Sequence, residues 1–434
     1  MLDKYRSLIN SRAKIKLVRN LFSLSVLQAY DLLLPLLLIP YLISTLGVDK
    51  FGLLSFATVL VAYFQIAVDY GFNTTATRDI SINIDNPEKI EEIYNNVMST
   101  KIALLLVCFL VLSAVVFGFH QFSSHPFIYL FTYGVVIGQS FVPIWFFQGM
   151  QEVRYVTYSN IIGKSVFALA IFIFVKHEQD YFLVPIFTSL GFIVSGTFAF
   201  LYIRSKFLIK FKFQSFKSIK EQLIYGKYMF LSELKTALIT NTNVLVLGIM
   251  SGNQAVAYFV GADKIIRAFG NIQAPVLNAF FPFISKKINS HKGNGLRLIN
   301  KIIKIGSIII ILFSAIIFYY AEFIITLILK SDMYNSIIVF KILLLIPLAS
   351  FLDVILGKHI LLNLNKGKQY FRVFLVAAII NFPIVLGLTY YFSFIGTAIA
   401  QMLIQIFIVF GMLYYVRREY HILKEESILV ANNK

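Results

Sequence analysis

Apolar residues run through the chain in stretches of roughly 20 residues or more, separated by short polar gaps, and the pattern predicts about twelve membrane-spanning helices. A span needs roughly 20 mostly apolar residues, because ~30 Å of hydrocarbon is crossed at about 1.5 Å per residue. The stretches fall near 20–46, 51–72, 102–119, 127–149, 156–175, 182–203, 228–250, 254–283, 305–329, 333–357, 373–392 and 395–416. The predicted fold class is an all-α polytopic membrane protein.

Charge then orients the spans. Of the 39 Lys and Arg, 31 lie before the first stretch, after the last, or in every second gap. The opposite gaps hold only Lys50, Lys176 and Lys330, while Lys164, Lys235, Lys264, Arg267 and Lys341 lie inside stretches. By the positive-inside rule both termini are cytoplasmic and the chain is a multi-pass membrane protein of fixed orientation. The same distribution explains the formal charge of +18 without nucleic acid, whose binders gather basic and stacking residues on one soluble module. Here the basic segments all face one leaflet, where anionic lipid head groups attract them. The leader MLDKYRSLINSRAKIKLVR is basic and loosely amphipathic with no small-residue cleavage site, so an uncleaved interfacial helix is expected.

Composition removes several chemistries. The single cysteine, Cys108, cannot form an intramolecular disulfide or a thiolate cluster. No two of the six histidines share a helix at ligand spacing, so no metal site is expected. No phosphate-binding loop, dinucleotide fingerprint, HExxH or GxSxG occurs, which argues against a nucleotide-driven or hydrolytic enzyme and against a resident cofactor. The outer gaps, such as Ser251-Gly252-Asn253-Gln254 and Tyr391-Phe392-Ser393-Phe394, leave no room for the outer domain a membrane polymerase or ligase would use. Asn73-Thr74-Thr75 matches a glycosylation sequon on the cytoplasmic side and is read as chance.

The longest basic gap, 204–227, alternates lysines with Phe207, Phe211, Phe213 and Phe216 and divides the spans six and six. The expected organisation is an N-terminal lobe over 1–203, an amphipathic cytoplasmic connector over 204–227 and a C-terminal lobe over 228–434. Weak internal similarity links Thr45-Leu46-Gly47 with Val246-Leu247-Gly248. Six spans per half make the repeat parallel, about an axis along the membrane normal, and such transporters bind substrate between the halves near the midplane.

Polar residues recur at helical spacing inside the spans. Asp263, Arg267, Asn271 and Asn278 share one face; Glu233, Thr236, Thr240 and Asn243 mark the span before it. Gln28 and Asp31 mark the first span, Thr58, Gln65 and Asp69 the second, Asp353 the tenth, and Thr397, Gln401 and Gln405 the last. A charge at the centre of a lipid-facing helix costs about 2.5–3.5 kcal/mol, so Lys164, Lys235, Lys264 and Arg267 must pair or face water. Two accounts fit: internal neutralisation, with Asp263 and Arg267 an i,i+4 pair and Asp31 or Glu233 meeting a lysine on another helix, or a hydrated cavity whose cations suit a phosphate-bearing substrate. Most of the 44 Phe and 24 Tyr are read as lipid-facing or interfacial. Prolines in or at the ends of spans, among them Pro35, Pro40, Pro275, Pro282 and Pro383, mark kinks.

The stretch from Pro35-Leu-Leu-Leu-Ile-Pro40 through Gly47, Phe51-Gly52 and Asp69-Tyr70-Gly71-Phe72 to Thr77-Arg78 resembles the opening of Wzx-type O-antigen flippases. These form the polysaccharide-transport branch of the multidrug/oligosaccharidyl-lipid/polysaccharide exporter superfamily. Pro143-Ile-Trp145-Phe-Phe-Gln148-Gly149, Ala257-Tyr258-Phe-Val-Gly-Ala262-Asp-Lys264 and Phe281-Pro282-Phe-Ile-Ser285 follow in the same order, so the resemblance covers nearly the whole chain. It implies about twelve helices in two six-helix lobes related by pseudo-two-fold symmetry around a central cavity. It also implies transport of an undecaprenyl-diphosphate-linked oligosaccharide to the outer leaflet of a bacterial inner membrane by alternating access. Lys164, Lys235, Lys264 and Arg267 would hold the diphosphate. Gln28, Asp31, Gln65, Asp69, Glu233, Asn243, Asp263, Asn271, Asp353 and Gln401 would line the cavity or couple transport to H+, Na+ or the membrane potential. Membrane lipids and other polysaccharide assembly proteins are the remaining expected partners. The rival readings are a drug or cation antiporter of the same fold, a polymerase or ligase acting on the same lipid-linked sugars, and a structural or scaffolding membrane protein, which would have no reason to keep so many charges in its spans.

Overall fold

A computed structural model of the protein describes residues 2–290 and 292–432, with side chains described from Val26 to Glu419 apart from a few positions between 275 and 296. The side chains of the basic leader, Pro275, Asn278 and Pro282, and all of His291, lie outside the described residues.

The chain is all helical, with no strand among the described residues. Nine helices there are long and apolar enough to cross a membrane, and many of their apolar side chains, such as Leu110 in one and Ile308 and Leu312 in another, face outward. Fewer continuous helices than predicted spans result because three of the short gaps shrink to one non-helical residue. Gly47 (φ 75°, ψ 172°), Gly252 (φ 78°, ψ −175°) and Ser393 (φ 49°, ψ −130°) each join two helices across a kink. Glycine reaches the first two conformations without the steric cost a Cβ would add. The predicted span over 254–283 is also divided, at Ile272. Pro275 has no N–H to offer the carbonyl four residues earlier, so the first helix stops at Asn271.

Two compact units divide the chain, Met1–Ala237 and Leu238–Lys434. The first contains α1 (Leu2–Asp69), α2 (Phe72–Ile82), α3 (Pro87–Gly118), α4 (His120–Ser123), α5 (Pro126–Ser140), α6 (Ile144–Gly149), α7 (Arg154–Phe174) and α8 (Leu183–Lys206). It also takes in most of α9 (Phe216–Thr240). Its core is aromatic: Trp145, Phe146 and Phe147 are fully buried against Phe72, Ala76, Ile80 and Tyr94. The Trp145 motif is therefore a packing element that locks α6 onto α2, with the Thr77 hydroxyl donating to the Trp145 carbonyl at 3.2 Å. Residues 207–215 are not helical, and α3 holds them: Asn95 bonds the backbone of Lys210 and Lys212, and Ser99 that of Gln214.

Helices α7 and α8 approach through small residues. Ser159 and Gly163 on α7 meet Gly191 and Ser195 on α8, each serine hydroxyl donating to the other serine's carbonyl at 2.6 and 2.7 Å. A Cβ on Gly163 would stand 2.3 Å from the Gly191 carbonyl oxygen, and one on Gly191 2.5 Å from that of Gly163. Small residues four apart are a recurrent means of bringing membrane helices together, because lipid supplies no hydrophobic drive for their association. Gly163→Leu is expected to destabilise the unit by about 1–3 kcal/mol through overpacking, read as a lowered melting temperature in detergent, with Gly191→Leu equivalent. A melting temperature equal to the parent's for either would dismiss this contact as a determinant.

The second unit contains α10 (Thr242–Asn271), α11 (Gln273–Ser290), α12 (Lys292–Tyr319), α13 (Ala321–Leu329), α14 (Ser336–Leu343), α15 (Ile346–Val354) and α16 (Gly367–Asn432). A π-helical stretch, Ile355–Leu362, follows α15. Here α16 packs on α10, α14, α15 and the π-helical stretch around a core of aliphatic residues such as Ile355, Ala377 and Ile408.

Candidate functional site

Each unit encloses a polar cavity among its membrane-crossing helices. In the first, a cavity of about 280 Å³ is lined by Asp31 and Asp69 of α1, Lys101 of α3 and Lys164 of α7, together with the amides of Gln65, Asn73, Gln139, Gln148 and Asn160. Its charges neutralise each other. The Lys101 ammonium, with 3% of its side chain exposed, meets Asp69 at 2.8 Å; Gln65 donates to the other Asp69 oxygen, also at 2.8 Å. Lys164 pairs with Asp31. Glu233 of α9 is half-buried and close enough to the Gly71 backbone, Asp69 and Lys101 to feel their charge. A second, less polar chamber of about 330 Å³ carries Thr58, Thr132 and Thr188 and shares Gln65, Gln139 and Phe192 with the first.

In the second unit a cavity of about 360 Å³ is lined by Asn243, Arg267, Asn271, Asp353, Lys358, Asn381, Gln401 and Gln405, among others. A chain of hydrogen bonds crosses its wall. Asn381 donates to Asn243 at 3.1 Å and Asn243 to Gln401 at 3.4 Å; Gln401 donates to Asp263 at 2.8 Å, whose other oxygen receives Arg267 Nε at 2.5 Å. The Arg267 side chain remains 46% exposed while Asp263 is 10% exposed, so the guanidinium keeps donors available to the cavity after satisfying its partner. Gln405 donates to Asp353 at 2.5 Å. The lining carries two basic groups, Arg267 and Lys358, and one carboxylate, Asp353.

The sequence-predicted residues thus separate into groups. Asp31, Gln65, Asp69 and Lys164 line the first cavity; Asn243, Arg267, Asn271, Asp353 and Gln401 line the second, with Asp263 buried behind Arg267. Gln28 and Lys264 are exposed and belong to neither lining, and Lys235 is buried in α9. Sequence reasoning missed Lys101 and Lys358, both taken as gap residues beside a span; it named Asn73 only as part of a chance sequon and did not single out Gln139, Asn160 or Asn381. The signal for Lys101 was available: α3 begins at Pro87 with Asn86 as its cap, so Lys101 stands in mid-helix.

Comparison with known proteins gives consistent findings. The family model described as "Polysaccharide biosynthesis protein" matches residues 17–288. A protein of Escherichia coli (strain K12) described as "Putative O-antigen transporter" is 28% identical over 404 residues, covering 93% of this chain and 97% of its own. A Shigella dysenteriae protein of the same description is 25% identical, covering 92% and 100%. Among solved structures, the inward closed conformation of the lipid II flippase MurJ is similar at a TM-score of 0.65 and 14% identity, covering 91% of this chain and 87% of its own. An inward-facing multidrug resistance MATE family transporter of the MOP superfamily is similar at a TM-score of 0.63 and 16% identity, covering 90% and 96%.

Proposed function

Since the chain belongs to the polysaccharide biosynthesis protein family, we propose that it is a flippase for a lipid-linked oligosaccharide. The substrate we assign is an undecaprenyl-diphosphate-linked repeat unit, carried from the cytoplasmic to the periplasmic leaflet of a bacterial inner membrane. The observation that carries this reading is the Arg267 site, a half-exposed guanidinium held in place by a buried carboxylate inside a membrane-embedded polar cavity. Such a group offers fixed, charge-assisted donors to a phosphate and gives a cationic drug nothing to bind. Full-length likeness to proteins named as O-antigen transporters supports transport in place of catalysis, and so does a fold shared with a flippase and with multidrug transporters.

In this mechanism the lipid tail stays in the bilayer while diphosphate and glycan pass through the polar interior, which opens to one face of the membrane and then the other. Both termini are placed in the cytoplasm, and the connector over 204–227 separates lobes 1–203 and 228–434. With the membrane negative inside, moving two net negative charges outward gains roughly 4–5 kcal/mol at ~100 mV, and co-moving H+ or Na+ would change that sum.

The test is transfer of a lipid-diphosphate-linked oligosaccharide in liposomes holding the purified full chain, with leaflet sidedness read by a membrane-impermeant glycosidase. Protein-dependent flipping is expected. Absence of flipping together with gradient-driven efflux of cationic dyes from the same vesicles would replace this reading with a drug antiporter.

A further inference from the structure

The first unit's cavity holds both signs of charge, yet it offers little to a charged ligand. Lys164 is engaged by Asp31 and the buried Lys101 by Asp69, so a phosphate or an ammonium entering would have to compete with an ion pair already formed. What remains available is neutral. Gln139 and Asn73 have no side-chain hydrogen bond among the described residues. Asn160 donates only to the Val156 carbonyl of its own helix, at 3.0 Å, which leaves its Oδ1 free to accept. The Gln65 Oε1 is buried without a donor among the described residues, at the junction of the polar and less polar chambers. Phe192 lies at the same junction and is backed by Phe167 with ring centroids 6.0 Å apart.

Resting on the flippase reading, we propose that this cavity is a subsite for one uncharged sugar ring of the glycan. Amide groups both donate and accept, as sugar hydroxyls do, and each unpaired amide here is a hydrogen bond waiting for such a partner. The apolar face of a pyranose would lie against Phe192, and the threonine-bearing chamber would receive a methyl or acetamido substituent. Volumes of about 280 and 330 Å³ fall just below and just above the lower limit of the ~300–1,000 Å³ usual for small-molecule sites, which fits a single ring better than a whole repeat unit.

The experiment compares two substrates in liposomes holding the full chain: the lipid diphosphate bearing its oligosaccharide and the same lipid diphosphate without sugar. In Gln139→Leu with Asn160→Leu, the ratio of glycan-bearing to bare flipping is expected to fall about tenfold or more relative to the parent protein. An equal fall for both substrates, or no fall, would overturn the sugar subsite while leaving the flippase reading standing. No flipping of either substrate by the parent protein would remove that reading and the subsite with it. A Phe192→Trp reporter tests the site without transport. Its emission should change saturably with released neutral oligosaccharide and stay constant with inorganic pyrophosphate or a cationic dye, and the reverse pattern would sink the proposal.

Discussion

Replacing Lys101 by methionine is expected to cost about 3–5 kcal/mol and to deplete folded protein from detergent extracts. Lys101 is among the most enclosed of the chain's described cations, at 2% exposure, and its ammonium holds Asp69 at 2.8 Å. Methionine fills much the same volume, so the expected loss is electrostatic, not steric. Without the ammonium, Asp69 keeps only the Gln65 amide and faces Glu233 nearby, two carboxylates with no cation between them. Removing one partner of a buried pair is far costlier than removing both, because the survivor is left as an uncompensated charge. Lys101→Met with Asp69→Asn should therefore recover most of the loss, seen as a restored monodisperse peak on size exclusion and a restored melting temperature. If the single variant is as stable as the parent, the pair does not hold the first unit together.

Lys101 also shows where the sequence stops being readable. Hydropathy ends the third apolar stretch at Ile102, which left Lys101 among the cytoplasmic charges; the helix continues back to Pro87 because its first turns bury Ile90, Ile93, Tyr94 and Val97 on one face. Periodicity assigns a residue to a face of its own helix and says nothing about which helix lies opposite. For that reason the Asp263–Arg267 pair, four residues apart, was visible in the sequence, whereas the Asp69–Lys101 pairing was not. The pairing of Asp31 with a lysine of another span was foreseeable as a type, and only the structure selects Lys164. Amides escaped notice for a different reason. Asn160 stands four residues before Lys164 on α7 and Gln139 seven after Thr132 on α5, so a stripe was there to be read, but what gives these amides meaning is a shared cavity, a property of three or more helices together. Kinks were expected at prolines, yet Pro35 and Pro40 lie inside α1 and Pro383 inside α16, and the non-helical residues are Gly47, Gly252 and Ser393, all at positive φ in short gaps.

Arg267→Ala is expected to lower flipping of the glycan-bearing lipid diphosphate about 10²-fold in folded protein. A hydrogen bond to a charged group contributes about 1.5–3 kcal/mol, and each 1.4 kcal/mol is tenfold, so losing one or two guanidinium–phosphate bonds accounts for an effect of this size. The alternative is that Arg267 serves only as the counter-charge of Asp263, to which it donates at 2.5 Å. Two further variants separate these roles. Asp263→Asn keeps the guanidinium and removes its partner; Gln401, which donates to the same carboxylate at 2.8 Å, can still bond the new amide oxygen. If Arg267 binds phosphate, this variant should flip at a rate much nearer the parent's than Arg267→Ala does. If Arg267 merely neutralises Asp263, combining Asp263→Asn with Arg267→Ala should restore flipping, because the buried charge and its counter-charge leave together. Arg267→Lys should fall between, since an ammonium retains the charge and loses the planar fork. Parent-like flipping by folded Arg267→Ala, or its rescue by Asp263→Asn, would remove the diphosphate role and with it the observation on which the flippase mechanism most depends.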